Sequence, residues 1–273
     1  MLTSNLSPAE ITRYARHLTL NGWGREAQER VKSSRALIVG AGGLGSTAAL
    51  HLLAAGVGAL RLVDNSRVGL GDLGHQVLFR EQDLGRAKAT VAERRLKDLN
   101  SFALVESVVK VLSSHNVSRF TSGCQVLLDA TNNSAAGLIL NQAAAKLHLP
   151  LVHAWVWDMD GRLTTYWPGH GPCLTCSSQE TSIPGRPALL SPLPGILGAL
   201  QALEALRILG GLGPALLGRL LYFHGASFHF IERPLRADPH CPTCQADCRS
   251  SQGAETLPEY LYASAPEIKT HHH

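Results

Sequence analysis

Three glycines constrain this chain more than any other feature. Gly40-x-Gly42-x-x-Gly45 stands between an apolar run, Arg35-Ala36-Leu37-Ile38-Val39, and an Ala/Leu-rich stretch over residues 46–55. The run reads as a short buried strand, and the stretch as a buried helix that Gly56 ends. Ala59-Leu60-Arg61-Leu62-Val63-Asp64 then reads as a second strand. The result is a βαβ unit, whose strands lie parallel and whose crossover is right-handed. Strand, glycine loop and helix are also the setting that a nucleotide phosphate needs. Glycines permit the tight turn and let backbone N–H groups approach phosphate oxygens, while the helix N-terminus adds a favourable dipole. Asp64, closing the second strand, is placed to hydrogen-bond ribose hydroxyls. Taken alone, the loop makes an NAD-dependent oxidoreductase the first reading. It fixes the fold better than the ligand.

The alternation continues along the chain. Residues 7–31 carry a helical pattern opened by Ser7-Pro8, a cap with proline in the first turn. Helices are predicted over 87–99, 134–147 and 195–209, and strands over 104–111, 126–129, 150–154 and 162–167. Residues 220–223 and 227–231 read as a closing antiparallel pair. The predicted fold is α/β: a Rossmann-like, doubly wound, mostly parallel sheet with a C-terminal antiparallel extension and a zinc-knuckle insertion. At 273 residues, 45% hydrophobic and 17% charged, the chain is not disordered, and 26 glycines with 14 prolines exclude a coiled coil. A net charge of +4 without a Lys/Arg run argues against a nucleic-acid partner. The apolar tract 189–223 is broken by Pro192, Pro194, Glu204, Arg207, Pro214 and Arg219, so it reads as a buried helix with flanking loops and not as a membrane span. The opening Met1-Leu2-Thr3-Ser4-Asn5 lacks the pattern of a secretory leader, and a cytoplasmic location is expected. Residues 250–273 turn polar and read as a tail, and the final His271-His272-His273 reads as a tag remnant.

Four cysteines carry a second signal. Cys173-Leu174-Thr175-Cys176 and Cys241-Pro242-Thr243-Cys244 are two C-x-x-C knuckles far apart in sequence. Two such turns complete one closed tetrahedral Zn2+ site, structural and not catalytic. Disulfides are the lesser reading in a chain with no mark of secretion. Cys124 precedes an apolar strand and reads as a small core residue, and Cys248 has no evident role.

A nucleotide loop followed by paired knuckles resembles the MoeB/ThiF/HesA family, the bacterial relatives of ubiquitin-activating enzymes. The similarity runs over residues 7–245. It rests on Arg13-Tyr14-x-Arg16-His17, Val39-Gly40-Ala41-Gly42-Gly43-Leu44-Gly45, Ala54-Ala55-Gly56-Val57-Gly58, Leu62-Val63-Asp64, Gly85-x-x-Lys88 and Gly198-x-x-Gln201-Ala202-x-Glu204-Ala205. The resemblance implies binding of ATP with Mg2+ and adenylation of the C-terminal Gly-Gly carboxylate of a ubiquitin-like sulfur-carrier protein. It implies that ATP rests on Gly40, Gly42, Gly43, Asp64, Gly71, Asp72, His75, Lys88, Asn132 and Asn133. Lys88 and Arg16 would be the catalytic residues, with Arg16 an arginine finger reaching the nucleotide of a second subunit, and so a homodimer. Residues 1–249 would form one adenylation domain: N-terminal helices over 7–31, a nucleotide-binding half over 35–150 and a zinc- and carrier-binding half over 151–249.

The sequence departs from that family's pattern at three positions. Asp72 and His75 stand where the family carries Asn and Arg phosphate contacts, and Asn132 stands where it carries the Mg2+-coordinating aspartate. An amide brings no charge to Mg2+, which favours carboxylates and waters, and Asp72 is the carboxylate expected to compensate. The crossover segment 177–192 has no cysteine, and Ile183-Pro184-Gly185-Arg186 places proline where a covalent thiol would align. Asn132, Asp72 and His75 make a catalytically degenerate, carrier-binding scaffold a second reading. His153, Trp155 and Trp157 share a strand that reads as packing before it reads as a substrate groove. His224 and His229 read as ordinary residues of the closing hairpin.

Overall fold

In the computed structural model, which describes residues 5–180 (side chains to 177) and 189–244, eight strands form one sheet. They are β1 (Arg35–Val39), β2 (Ala59–Val63), β3 (Leu104–Val108), β4 (Val126–Asp129), β5 (Leu151–Trp157), β6 (Asp160–Tyr166), β7 (Arg219–His224) and β8 (His229–Pro234). The spatial order is β3-β2-β1-β4-β5-β6-β7-β8. The first five run parallel, and β6, β7 and β8 are added antiparallel. Strands β1, β2 and β4 are almost wholly buried, as near-continuous apolar runs must be when helices cover both faces.

Alternate residues of β1 feed two separate cores. Ala36 and Ile38 join one core with α4 (Gly43–Ala54), α5 (Lys88–Leu99) and α8 (Pro192–Gly210). Leu37 and Val39 join the other with α6 (Val117–Thr121) and α7 (Ser134–Leu147). Helix α8 is long and apolar enough to cross a membrane, yet it lies inside the first core. It can approach α4 closely because Gly198 has no side chain; a Cβ there would stand 2.5 Å from the Leu44 carbonyl oxygen. The buried Glu204 carboxylate accepts hydrogen bonds from Thr165 Oγ1 and from the Ala215 and Leu216 N–H groups, which straps the turn before β7 to α8.

The N-terminal helical pattern is not one helix. It divides into α1 (Pro8–Arg13), α2 (Ala15–Leu18) and α3 (Gly24–Lys32). Ser7 and Glu10 close a capping box at the start of α1. The break then lets Tyr14 enter the core, where its hydroxyl accepts from Asn100 Nδ2 at 3.0 Å. Gln28 of α3 donates to the Ala55 carbonyl at 2.7 Å while its own oxygen accepts from Trp23 Nε1. Both residues close on Gly56, where a Cβ would lie 2.7 Å from Tyr14 and Gln28 atoms, so tertiary contacts override the helical periodicity. Other boundaries move less. The helix after the glycine loop begins at Gly43 and not at residue 46, the third strand stops at Val108, and α8 starts at Pro192.

Two glycines should respond to substitution in opposite ways. A Cβ at Gly45 would sit 1.8 Å from the Gly40 carbonyl oxygen, whereas nothing lies within 4 Å of one at Gly71. Gly45→Ala is expected to cost about 3 kcal/mol or more in urea denaturation, and Gly71→Ala no more than about 0.5 kcal/mol.

Candidate nucleotide cleft and cysteine cluster

The sheet order turns outward in two directions from β1 and β4, and a cleft of about 420 Å³ opens at the carboxyl ends of these strands. Its floor is the glycine loop. Gly40 has φ +97°, and a Cβ there would meet the Ala130 carbonyl oxygen at 2.6 Å, so β1 and β4 leave the sheet almost touching. Gly42 caps α4 without a side chain, leaving the helix's first N–H groups facing the cleft region. The Asp64 carboxylate accepts from the Ala41 N–H at 2.7 Å and the Ser66 N–H at 2.6 Å, stitching the loop to the end of β2. Val111, Leu112 and Ile139 make an apolar wall suited to a flat base.

Lys88 also lines the cleft. It opens α5, is only 7% exposed, and its ammonium lies 3.0 Å from Asp72 Oδ1. That same oxygen accepts from Gln76 Nε2 at 2.9 Å, and Asp72 Oδ2 accepts from the Gly69 N–H at 2.8 Å. Burial alone would raise the Asp72 pKa; the Gly69 N–H and the Lys88 ammonium outweigh it and hold the carboxyl below its usual range. Asp72 is therefore ionised and spends its charge on Lys88.

The end of β4 is turned away. Asn132 has φ +50°, and its amide pairs with one residue of β5: Nδ2 donates to the Val156 carbonyl at 2.8 Å, and Oδ1 accepts from the Val156 N–H at 3.2 Å. A carboxylate could not make the first of these bonds. Asp129, below it, accepts from Thr131 Oγ1 at 2.7 Å and lies 3.0 Å from His153 Nδ1. The β4 end thus offers no free carboxylate to a metal ion. His153 is a buried partner of that network, in keeping with a packing role.

The four knuckle sulfurs lie together. Cys173 and Cys176 Sγ are 3.8 Å apart, Cys173 and Cys241 3.6 Å, and Cys176 and Cys244 3.5 Å; all four fall within 4.8 Å of one another. Disulfides need about 2.05 Å. Thiolates about 2.3 Å from a tetrahedral Zn2+ stand about 3.8 Å from each other, and the cluster fits that figure. Burial and the neighbouring thiols push the Cys241 and Cys244 thiols up, while hydrogen bonds from the Cys176 N–H and the neighbouring side chains outweigh burial and pull Cys173 down. Asn141 of α7 orients the first knuckle, accepting from the Leu174 N–H at 2.9 Å and donating to Thr175 Oγ1 at 3.1 Å. Cys124 is apart from this group and buried, with its thiol pushed up to about 11 by burial.

Residues 14–245 match the ThiF family. This chain belongs to it. A SAMP-activating enzyme E1 from Haloferax volcanii is 36% identical over 249 residues, covering 89% of this chain and 92% of that protein. Adenylyltransferase and sulfurtransferase MOCS3 of Drosophila persimilis is 38% identical over 250 residues, and there the chain spans 55% of its relative's length. The crystal structure of E. coli MccB with ATP has a TM-score of 0.77 at 22% identity, covering 85% of this chain and 74% of that one, a likeness of fold.

The resemblance to the family is thereby confirmed, and the oxidoreductase reading loses its support. Of the residues assigned to ATP by resemblance to the ThiF family, Gly40, Gly42, Asp64, Lys88 and Asn133 line the cleft. Asn133 also caps α7, accepting from the Ala135 and Ala136 N–H groups. Gly43 lies beneath the loop against Pro194, and Asp72 stands behind Lys88 and Gln76. Gly71, His75 and Asn132 do not line it. Arg16 is exposed on α2, with no ion pair among the described residues. Asn65, Ser66, Gln76, Lys110 and Thr131 line the cleft without having been singled out, although four of them lie just beyond the ends of β2, β3 and β4, where such folds place their ligands. The proline-bearing stretch 183–186 and Cys248 lie outside the described residues.

Metal content tests the cluster. Purified protein is expected to carry one zinc per chain by plasma mass spectrometry. Cys176→Ser should remove it and lower the melting temperature, while Cys124→Ser should leave zinc content unchanged.

Proposed function

We propose that this chain is an ATP-dependent adenylyltransferase that activates the C-terminal Gly-Gly carboxylate of a ubiquitin-like sulfur-carrier protein. The observation that carries this reading is the cleft: a helix N-terminus without a side-chain cap, a buried lysine and the Asp64 carboxylate at the end of β2 around a space walled by apolar side chains. Relatives named as an adenylyltransferase and as an activating enzyme support it, as does a protein of the same fold solved with ATP.

In this reading Asp64 meets the ribose hydroxyls, and the α4 N–H groups with Lys88 meet the phosphates. The carrier's carboxylate oxygen attacks the α-phosphorus, the bond to the bridging oxygen of the β-phosphate breaks, and pyrophosphate leaves with its electron pair. The acyl-adenylate remains. Positioning and charge stabilisation carry such a step, with little covalent help from the protein. The reaction uses no cysteine of the crossover segment, because 177–192 contains none. The cluster of four cysteines holds a structural Zn2+, and Arg16 serves the cleft of a second copy in a cytoplasmic homodimer. The whole of 1–249 works as one unit, with the sheet extension taking the carrier.

A scaffold without turnover is the second reading. It is favoured by the neutral Asn132 and by the Asp72–Lys88 pair, which leaves the lysine's charge already balanced.

Pyrophosphate exchange separates the two. With a carrier ending in Gly-Gly, labelled pyrophosphate is expected to enter ATP, and Lys88→Ala should slow the exchange about a hundredfold. Carrier binding with no exchange would favour the scaffold, and neither binding nor exchange would sink both.

A further inference from the structure

The Asp72–Lys88 pair creates a difficulty for any nucleotide that enters the cleft. Lys88 is the buried cation of the phosphate wall, and its one ion-pair partner among the described residues is Asp72. If Lys88 turns to a phosphate, a half-buried carboxylate loses its counter-charge, which is costly in a partly desolvated site. A cation arriving with the phosphates can take the lysine's place.

The structure limits where that positive charge can sit. Among described carboxylates at this end of the sheet, Asp64 is engaged by two backbone N–H groups, and Asp129 is buried against Thr131 and His153. Asn132 is neutral and bonded at both amide atoms to Val156. Asp72 remains. Beside it a second, independent feature points the same way. Gln76 is 5% exposed and lines the cleft, and its Nε2 donates to Asp72, but its Oε1 is buried with no hydrogen-bond partner. A buried acceptor left unpaired is uncommon and costs stability unless a donor or cation satisfies it. A carboxylate and an amide oxygen are the hard ligands that Mg2+ takes, together with water and substrate phosphates.

We infer that Asp72 and the amide oxygen of Gln76 form the divalent-cation site of this cleft, entered as Lys88 exchanges Asp72 for phosphate. The metal position thus lies on the wall between β2 and α5 and not at the end of β4. The ion pair is the resting plug of the site, and the metal is what releases the lysine. This inference rests on the nucleotide reading above.

The test is titration calorimetry with α,β-methylene-ATP, once with saturating Mg2+ and once in EDTA, on the zinc-loaded protein. The quantity read is the ratio of the two affinities. Wild type is expected to bind at least about tenfold more tightly with Mg2+, a ratio in the range typical of a lost metal contact. Asp72→Asn keeps an oxygen for the Gly69 N–H, so it should fold, and its ratio should fall to about one while its affinity in EDTA holds or rises as Lys88 is freed. Gln76→Glu, a second variant that replaces the orphan oxygen with a charge, should raise the ratio above wild type. An Asp72→Asn protein that keeps the wild-type ratio overturns the site, as does a wild-type ratio of one; either leaves the nucleotide reading standing. Nucleotide binding in neither condition overturns both.

Discussion

The close approach of two backbone turns at the end of β1 is the constraint on which the rest depends. Gly45 passes so near the Gly40 carbonyl that a single methyl group would overlap it, and Gly40 in turn passes close to the Ala130 carbonyl at the exit of β4. Those contacts bring the start of α4 down onto the sheet, place its free N–H groups at the switch point of strand order, and open the cleft beside it. Asp64 then locks the arrangement from β2 by accepting the Ala41 N–H. A larger residue at Gly40 or Gly45 would have to part the strands or the helix, and the cleft would lose its floor.

The remainder of the molecule holds this geometry from outside. Tyr14 and Gln28 close over the turn after α4, while Gly198 lets α8 press on the helix from the opposite side. Farther along the sheet, the cysteine cluster joins two segments far apart in the chain and is fastened to α7 through Asn141. Since Asn133, the cap of α7, lies on the rim of the cleft, knuckle and cleft share one helix. A closed four-thiolate centre fits that fastening role better than any chemical one.

What the sequence disclosed follows the range of the forces involved. Strand Arg35–Val39, strand Val126–Asp129 and helix Ser134–Leu147 were legible to the residue, because hydrophobic period and local caps decide them. The cysteine spacing announced its cluster for another reason: each C-x-x-C turn is local, and two such turns complete one four-thiolate site however far apart they lie in the chain. The N-terminal stretch was read as helical over 7–31 without the places of its breaks, because these are imposed by Asn100, Ala55 and Gly56, which lie far away in the chain. Within the cleft, residue types were legible but partners were not. Nothing local to Asn132 signals that its amide will pair with Val156, and nothing local to Lys88 signals that Asp72 will hold its ammonium. Lys110 went unnoticed as a lone lysine, for only the end of β3 brings it to the cleft.

The central claim is that the cleft receives ATP, and a calorimetric titration of the zinc-loaded protein with ATP and, separately, with NAD tests it most directly. Saturable micromolar binding of ATP with no heat from NAD is the predicted result. Binding of NAD, or a folded protein that takes neither nucleotide, would contradict it.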